Sequence, residues 1–306
     1  MHILIFEQQE IHTEAIELLK KEATLQLYYS DQDSYDKEKI QAIFMRSGTQ
    51  ASADFLKDFP NLQYILRVGV GLDNIDTSYC KEQNIQIFNS PGSNANAVAE
   101  YVLGQMINLA RNIPAAISDT KKGNYDRFQF MGTELSGKTL GIIGCGAIGT
   151  FLAKKAHACD MNIIGYDPFV DAQTLQQRNI QKAELEDIYK HSDFITLHLP
   201  LIPQTENMIH REVFKQMKNT AYLINAARGG IVHEKELLKV LENREIAGAA
   251  VDVYETEPKL PQELISHPSM LPTPHIAAMT EEANKNMAMM PVERFLSAKN
   301  NIKEII

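Results

Sequence analysis

Tryptophan is absent from the 306-residue sequence, cysteine occurs only three times, and no apolar run approaches the length of a membrane-spanning helix. The cysteines, Cys80, Cys145 and Cys159, form no metal-ligand motif, and their odd number argues against a disulfide framework. The chain opens without a basic segment followed by a long apolar stretch, so we expect a reducing, cytoplasmic setting. A transmembrane helix needs about 18 apolar residues in a row. The sequence therefore predicts no membrane span and no metal site.

Positive charge is also in short supply. Asp and Glu outnumber Lys and Arg by 39 to 30, which gives a formal net charge of −9, and no block of basic residues interrupts this excess. Nucleic acids and anionic membranes are bound through a basic footprint, so we expect neither as a partner. The composition, 44% hydrophobic and 23% charged, is typical of a globular protein. Small molecules are the partners that this composition favours.

Short apolar runs alternate with amphipathic helical patterns along the chain. The first five runs are HILIF at 2–6, LQLYY at 25–29, AIFM at 42–45, QYIL at 63–66 and IQIF at 85–88. Strands that alternate with helices predict parallel sheets covered by helices on both faces. Because 306 residues exceed what one hydrophobic core usually organises, two α/β domains are predicted.

A long apolar helix and an interrupted one are predicted at either end of a second β/α series. The first begins at Val98, and its stripe of Val98, Val102, Met106 and Leu109 is too apolar for a solvated face. We expect this stripe to pack between domains or against a second subunit. Near the C-terminus, Pro291 interrupts a helical pattern, which predicts a kink or a new helix that begins there.

A glycine fingerprint for dinucleotide binding lies at the start of the second series. Gly144, Gly146 and Gly149 form GxGxxG directly after the strand TLGII, and a helical pattern follows at once. These glycines would permit a tight turn, close approach of a pyrophosphate, and packing of the helix on the strand. Asp167 ends the next strand, where its carboxylate would bind the ribose hydroxyls and repel a 2′-phosphate, so NAD is favoured over NADP. A glycine-rich turn of an unrelated β/α unit is the alternative.

Three polar residues follow apolar runs in the same half of the chain: Arg228, Glu257 and His275. A hydroxy acid needs a cation for its carboxylate and a base for its hydroxyl proton, beside a hydride acceptor. Arg228 can bind a carboxylate through two parallel hydrogen bonds. His275 can exchange the proton, with Glu257 stabilising the charged imidazole. Taken singly, each has a structural alternative, a loop-capping arginine or a surface histidine.

The order and spacing of six motifs make the sequence resemble the D-isomer-specific 2-hydroxyacid dehydrogenases along its whole length. The motifs are GVGLDNID at 69–76, GCGAIG at 144–149, HLPLIPQT at 198–205, NAARGG at 225–230, DVYETEP at 252–258 and TPHIA at 273–277. The resemblance implies two doubly wound parallel-sheet domains: a Rossmann-type cofactor domain at 98–282, and a flavodoxin-like substrate domain built from 1–97 and 283–306. It also implies a homodimer or a dimer-based oligomer.

The same resemblance assigns roles to individual residues. Arg228 would bind the substrate carboxylate, His275 would be the acid and base, and Glu257 its partner. The expected NAD contacts are Gly144, Gly146, Ala147, Ile148, Gly149, Asp167, His198, Pro200, Ala226 and Asp252, the last toward the nicotinamide carboxamide. Backbone N–H groups of the Val68–Gly71 loop, those of Val68 and Gly69 among them, would also face the substrate.

Further likenesses concern the substrate. The stretches RSGT at 46–49 and FMGTELSGKTLGIIG at 130–144 resemble the branch of the family that acts on 3-phosphoglycerate. By this resemblance Arg46, Arg67 and Arg127 would face the substrate phosphate, although each could instead be an ordinary surface arginine. Ala147 stands where many members carry a longer polar side chain, so we expect one phosphate contact fewer. A short form without a C-terminal regulatory domain is expected.

Two other functions are compatible with the same residues. A glyoxylate/hydroxypyruvate reductase or a D-lactate dehydrogenase would share the catalytic residues and differ in the substrate pocket. An NAD-sensing, corepressor-like binding protein would share the fold and could retain Arg228, Glu257 and His275. Turnover that depends on His275 distinguishes an enzyme from such a binding protein.

Overall fold

The chain forms two α/β units in a computed structural model that describes residues 1–303. Unit 1 contains Met1–Asn94 and the described residues from Met279 onward, and unit 2 contains Ala95–Ala278. Residues 304–306, the end of the expected substrate domain, lie outside the described residues. No helix in the described part of the chain is long and apolar enough to cross a membrane.

Twelve strands and twelve α-helices are assigned within the described residues. The strands are β1 (His2–Ile5), β2 (Gln26–Tyr29), β3 (Ile40–Met45), β4 (Tyr64–Arg67), β5 (Gln86–Phe88), β6 (Thr139–Ile143), β7 (Asn162–Tyr166), β8 (Gln181–Lys182), β9 (Phe194–Leu197), β10 (Tyr222–Asn225), β11 (Gly248–Val251) and β12 (Met270–Pro272). The helices are α1 (Thr13–Lys20), α2 (Ala53–Leu56), α3 (Thr77–Glu82), α4 (Ala95–Arg111), α5 (Ile113–Thr120), α6 (Ala147–His157), α7 (Ala172–Gln177), α8 (Leu185–His191), α9 (Arg211–Phe214), α10 (Glu234–Glu242), α11 (Gln262–Ile265) and α12 (Glu281–Lys303).

Unit 1 is built on a parallel sheet with the strand order β2-β1-β3-β4-β5. This is the flavodoxin-like order, in which the strand order reverses between β1 and β3. The central strand β3 has an almost continuously buried sequence, IQAIFM, as expected for a parallel strand covered on both faces. Met45 at its end is paired with Arg67 of β4, so Arg46 and Arg67 lie at neighbouring carboxyl ends.

Unit 2 contains a seven-stranded parallel sheet in the order β12-β11-β10-β9-β6-β7-β8. Counted within the unit, β6 is the first strand and β9 the fourth, which gives the Rossmann order extended by one edge strand. The order reverses between β6 and β9, and ligands of such sheets bind at the carboxyl ends beside this reversal. The predicted fold class, with two doubly wound parallel sheets, is therefore confirmed.

The apolar stripe of α4 is buried inside its own unit. Val98, Val102, Met106 and Leu109 are at most 7% exposed and belong to the same core cluster as Leu152 of α6. The prediction that this stripe packs against a second subunit is wrong. Periodicity showed that the face is buried, but it carries no information about which surface covers it.

Helix α12 runs through Pro291 without starting anew. The prediction of a separate helix at this proline is therefore wrong. Phe295, one turn further on, is fully buried and packs edge-on against Tyr64 of β4 and Phe88 of β5. An interior proline costs about 3 kcal/mol, and burial of this aromatic cluster offsets that cost.

Candidate active site

The polar residues singled out in the second half of the chain follow three neighbouring strands of unit 2. Arg228 comes after β10, Glu257 after β11 and His275 after β12. These strands are adjacent and parallel in the sheet. Their carboxyl ends therefore lie at one edge, and the fold brings the three residues to the same end of unit 2.

His275 and Glu257 form a hydrogen-bonded pair. The distance from Nδ1 of His275 to Oε2 of Glu257 is 2.8 Å, and the other carboxylate oxygen accepts the backbone N–H of Tyr254 at 2.9 Å. The carboxylate is thus held at both oxygens and orients the imidazole. The His275 side chain is 52% exposed, so its Nε2 atom is the ring nitrogen suited to exchange a proton with a ligand.

A buried carboxylate shapes the loop that carries His275. Asp252 is fully buried, and its carboxylate accepts the hydroxyl of Thr273 at 2.6 Å and the N–H groups of Ile276 and Ala277 at 2.8 Å each. Its backbone carbonyl accepts the N–H of His275 at 2.8 Å. These bonds hold His275 in a left-handed conformation with φ of 56°. Asp252 therefore positions His275.

The loop that carries Arg228 is fixed from two directions. The buried side chain of Asn225 accepts the N–H of Ala227 at 3.1 Å and donates to the carbonyl of Arg228 at 3.0 Å. Gly229 lies so close to the next loop that a Cβ atom there would stand 2.0 Å from the carbonyl oxygen of Tyr254. The Arg228 loop therefore packs directly against the segment that leads to Glu257.

Glu234 and Glu255 exchange two hydrogen bonds, which connect the segment after Arg228 to the segment before Glu257. Glu255 donates its N–H to the carboxylate of Glu234 at 2.8 Å, and Glu234 donates its N–H to the carboxylate of Glu255 at 3.3 Å. Burial, together with the nearby carboxylates of Glu255 and Glu257, raises the pKa of Glu234 above its usual value. The sequence analysis missed these residues and Asn225. The available signal was their position inside or beside the NAARGG and DVYETEP motifs.

The glycine loop has the features that a pyrophosphate site requires. Gly144 has a φ of +93°, and a Cβ atom there would stand 2.3 Å from the carbonyl oxygen of His198. A Cβ atom at Gly149 would stand 2.6 Å from the carbonyl oxygen of Gly144, whereas Gly146 faces open space. Gly146 precedes α6 without a side-chain cap, so the first helical N–H groups, with Ala147 and Ile148 in that turn, suit an anionic ligand. These residues fit a dinucleotide.

Asp167 lies next to this loop, directly after β7. One carboxylate oxygen accepts the N–H of Cys145 at 2.9 Å, and the other accepts the N–H of Phe169 at 2.9 Å. A carboxylate oxygen can accept more than one hydrogen bond. Both oxygens therefore retain capacity for ribose hydroxyls while they hold the loop.

His198 follows β9 and borders Gly144, and Pro200 and Ala226 follow β9 and β10 on the same side of the sheet. Burial lowers the pKa of His198 to about 3, so the ring is neutral. Its Nε2 atom lies 3.2 Å from the hydroxyl of Thr196, and its buried Nδ1 atom has no hydrogen-bond partner among the described residues.

In unit 1 the two backbone donors predicted to bind substrate are engaged within the protein. The N–H of Val68 donates to the carbonyl of Met45 at 2.9 Å, and that of Gly69 donates to the hydroxyl of Ser90 at 3.2 Å. Both N–H groups therefore have acceptors within unit 1. Their partners lie far away in sequence, which is why motif reasoning did not find them.

The arginines expected at the substrate phosphate also have protein partners. Arg46, whose side chain is 14% exposed, donates to the carbonyl of Glu10 at 2.6 Å and to the side chain of Asn284 at 3.3 Å. Arg67 donates to the carbonyl of Val68. Arg127 lies in unit 2, with its guanidinium 5.1 Å from the centre of the Phe128 ring. No cluster of three or more potential metal ligands occurs among residues 1–303.

The sheet order and the glycine loop define a Rossmann-type dinucleotide-binding protein, and comparison with known proteins identifies its family. Residues 103–277 match the NAD-binding domain of the D-isomer specific 2-hydroxyacid dehydrogenases. The chain belongs to this family, and its cofactor is NAD.

Curated relatives extend the match beyond this domain. A D-3-phosphoglycerate dehydrogenase of Methanocaldococcus jannaschii is 38% identical over 288 residues, which cover 93% of this chain and 55% of the relative. The Homo sapiens D-3-phosphoglycerate dehydrogenase is 39% identical over 246 residues, which cover 80% of this chain and 46% of the relative. The chain thus spans about half the length of the curated relatives it matches.

The fold of this chain matches solved structures along nearly its whole length. A D-lactate dehydrogenase from Aquifex aeolicus, complexed with NAD and lactic acid, has a TM-score of 0.85 at 26% identity and covers 99% of this chain and 97% of its own. A glyoxylate reductase from Paecilomyes thermophila has a TM-score of 0.86 at 27% identity, with 97% and 95% covered.

We predict that the His198→Gln variant loses less stability than wild type as the pH falls. Burial lowers the pKa of His198 to about 3, against 6.5 for the free side chain, so between these values the unfolded chain binds more protons. The stability that the neutral ring contributes is present above pH 6.5 and is lost as the pH falls toward 3, by at most about 1.4 kcal/mol per pH unit. Urea unfolding between pH 7 and pH 4.5 measures this slope.

The matched control is His157→Gln, which removes an exposed histidine from α6 and should leave the slope unchanged. An identical slope for wild type and His198→Gln would contradict the assignment of a neutral ring.

Proposed function

We propose that the chain is an NAD-dependent dehydrogenase of D-2-hydroxy acids, and that its substrate pair is 3-phosphoglycerate and 3-phosphohydroxypyruvate. The observation that carries the reaction type is the His275–Glu257 pair, 2.8 Å apart, at the same sheet edge as Arg228. Family membership supports this chemistry. The relatives from Methanocaldococcus jannaschii and Homo sapiens support the phosphorylated substrate. The free cysteines are consistent with a cytoplasmic enzyme.

Each residue of the site has a separate role in the proposed reaction. Bound NAD supplies the hydride acceptor. Arg228 binds the substrate carboxylate and polarises the oxygen on C2, because a guanidinium matches two acceptors in one plane. Nε2 of His275 takes the hydroxyl proton during oxidation and returns it during reduction. The negative charge of Glu257 stabilises the imidazolium that forms.

We predict that His275→Ala lowers kcat about 10²–10⁴-fold, the usual loss when a positioned acid and base is removed. NADH binding should stay nearly intact, because His275 lies on a different strand end from the glycine loop. Steady-state reduction of 2-oxo acids gives kcat, and the nicotinamide fluorescence of NADH gives its Kd. His191→Ala, which alters an exposed histidine of unit 2, is the control. Wild-type turnover in His275→Ala would exclude His275 from the mechanism, and an absence of turnover in wild type would favour a corepressor-like binding role.

A second candidate function is the reduction of unphosphorylated 2-oxo acids such as glyoxylate or pyruvate. The observation that favours it is the engagement of Arg46 by Glu10 and Asn284. The fold neighbours from Aquifex aeolicus and Paecilomyes thermophila carry such names. Phosphohydroxypyruvate, hydroxypyruvate, glyoxylate and pyruvate, each tested with NADH, distinguish the two candidates.

We predict that phosphohydroxypyruvate is preferred and that Arg67→Met lowers its kcat/KM about ten- to a hundredfold. This is the loss expected when a charge-assisted hydrogen bond of roughly 1.5–3 kcal/mol is removed. Hydroxypyruvate lacks the phosphate, so its kcat/KM should scarcely change. A folding defect would lower both values alike, which makes hydroxypyruvate the internal control. Equal losses, or a wild-type preference for an unphosphorylated acid, would favour the second candidate.

We also propose that the chain forms a homodimer through the segment after α4. Four large apolar side chains there, Ile117, Tyr125, Phe128 and Met131, are between 50% and 92% exposed. A groove beside them is lined by Arg111, Ile113, Ala116, Ile117, Thr120 and Lys121. So large an exposed apolar segment is typical of an interaction surface, and a second copy related by a twofold axis would cover both segments at once.

The dimer is tested by light scattering at micromolar concentration. Wild type should have twice the mass of one chain, and the double variant Phe128→Asp/Met131→Asp should dissociate. Phe169→Asp adds one such charge at an aromatic residue that is 94% exposed elsewhere in unit 2, and it should remain dimeric. A monomeric wild type, or equal dissociation of both variants, would contradict this interface.

A further inference from the structure

Cys145, between the first two glycines of the dinucleotide loop, is held on both sides of its backbone. Its N–H donates to Asp167 at 2.9 Å, and its carbonyl accepts a hydrogen bond from Nη1 of Arg178 at 2.6 Å. Its thiol is buried against Gly165, where a Cβ atom would stand 2.7 Å from the sulfur. Burial raises the pKa of this thiol to about 12, so it is neutral. The residue is therefore fixed by its donor, its acceptor and its side chain.

Arg178 reaches the loop from a firmly anchored helix. It follows α7, whose first turn is capped by Asp171 through bonds of 2.8 and 2.7 Å to the N–H and hydroxyl of Thr174. Leu175 of the same helix is fully buried, and its carbonyl accepts the N–H of Arg178 at 2.9 Å. The backbone of Arg178, from which its side chain extends, is therefore held in place. The GxGxxG fingerprint and its terminal acid do not include this arginine.

The planarity of the peptide bond links Arg178 to the cofactor site. In a trans peptide the C=O and the following N–H point in opposite directions. An arginine that holds the Cys145 carbonyl on one side therefore directs the N–H of Gly146 toward the other. Gly146 faces open space and begins the uncapped N-terminus of α6. This glycine is the position at which a pyrophosphate approaches the backbone in such loops.

We propose that Arg178 is a positioning residue for NAD, which fixes the Cys145–Gly146 peptide so that the Gly146 N–H faces the pyrophosphate. The bond is made to a main-chain oxygen, so it acts on the shape of the loop whatever side chain stands at position 145. The charge of the guanidinium also polarises the peptide, which strengthens its N–H as a donor. The inference rests on the cofactor and is independent of the substrate proposed above.

The test measures the binding of NADH to the whole chain, without any turnover. Arg178→Met keeps the apolar stem and removes every donor, and it should weaken NADH binding about tenfold. Arg178→Lys keeps a donor and the charge, and it should recover most of the affinity. Arg294→Met is the matched control, because Arg294 donates Nη1 to the main-chain carbonyl of Asn89 at 2.9 Å in unit 1, and its loss should leave binding unchanged. Isothermal titration gives each Kd, and the nicotinamide emission of NADH gives an independent measurement of the same binding.

Fragments of the cofactor separate positioning of the pyrophosphate from a general effect on the fold. ADP-ribose contains the pyrophosphate and should lose affinity for Arg178→Met by the same factor as NADH. Adenosine lacks the pyrophosphate and should bind wild type and variant equally. Wild-type affinity for NADH in Arg178→Met would overturn the proposal. Equal losses for adenosine and ADP-ribose would overturn it as well, because Arg178 would then support the adenosine end or the fold of the unit. Both results can be read whether or not the chain reduces any 2-oxo acid.

Discussion

The active site depends on one fully buried carboxylate. A charge such as that of Asp252 is tolerated inside a protein only when hydrogen bonds replace the water that it has lost. Here the replacement comes from Thr273, Ile276 and Ala277, so the need to solvate one charge dictates the path of a whole loop. That path holds His275 in a left-handed conformation, where its ring meets Glu257. His275 is therefore positioned by the hydrogen bonds that solvate a buried carboxylate.

The loops around His275 are also held in place by contacts with the main chain of a loop that follows a neighbouring strand. Gly229 packs on the carbonyl of Tyr254, and Glu234 and Glu255 cap one another's N–H groups. Groups that must act together thus gain rigidity from partners in adjacent loops, which is what catalytic geometry requires. The glycine loop is held in the same way through Cys145. Parallel strands make this possible, because they deliver successive loops to one edge.

The sequence predicted features that depend on residues close together in the chain. It did not predict contacts whose partner lies far away in the chain. The glycine fingerprint predicted the cofactor loop because each glycine is required by a steric constraint within one β/α unit. The stripe of α4 was correctly predicted to be buried, but its covering surface, α6 and the sheet, cannot be read from periodicity. The N–H groups of Val68 and Gly69, which the resemblance assigned to the substrate, have acceptors at Met45 and Ser90 that lie too far away in the chain for a motif to include them. Arg178 is separated from Cys145 by 33 positions, so no motif includes it.

The engaged state of Arg46 bears on which substrate the family scaffold serves here. Two of its hydrogen bonds go to neutral acceptors, the carbonyl of Glu10 and the amide of Asn284, while the nearest Glu10 carboxylate oxygen stands 3.9 Å away. These bonds are already charge-assisted, because the guanidinium that donates them is ionised. A substrate phosphate can bind Arg46 only if its oxygens replace these acceptors, whereas glyoxylate and pyruvate have no phosphate and leave the bonds intact. Under the proposed function, phosphorylated and unphosphorylated acids therefore differ in whether their binding requires Arg46 to exchange these hydrogen bonds.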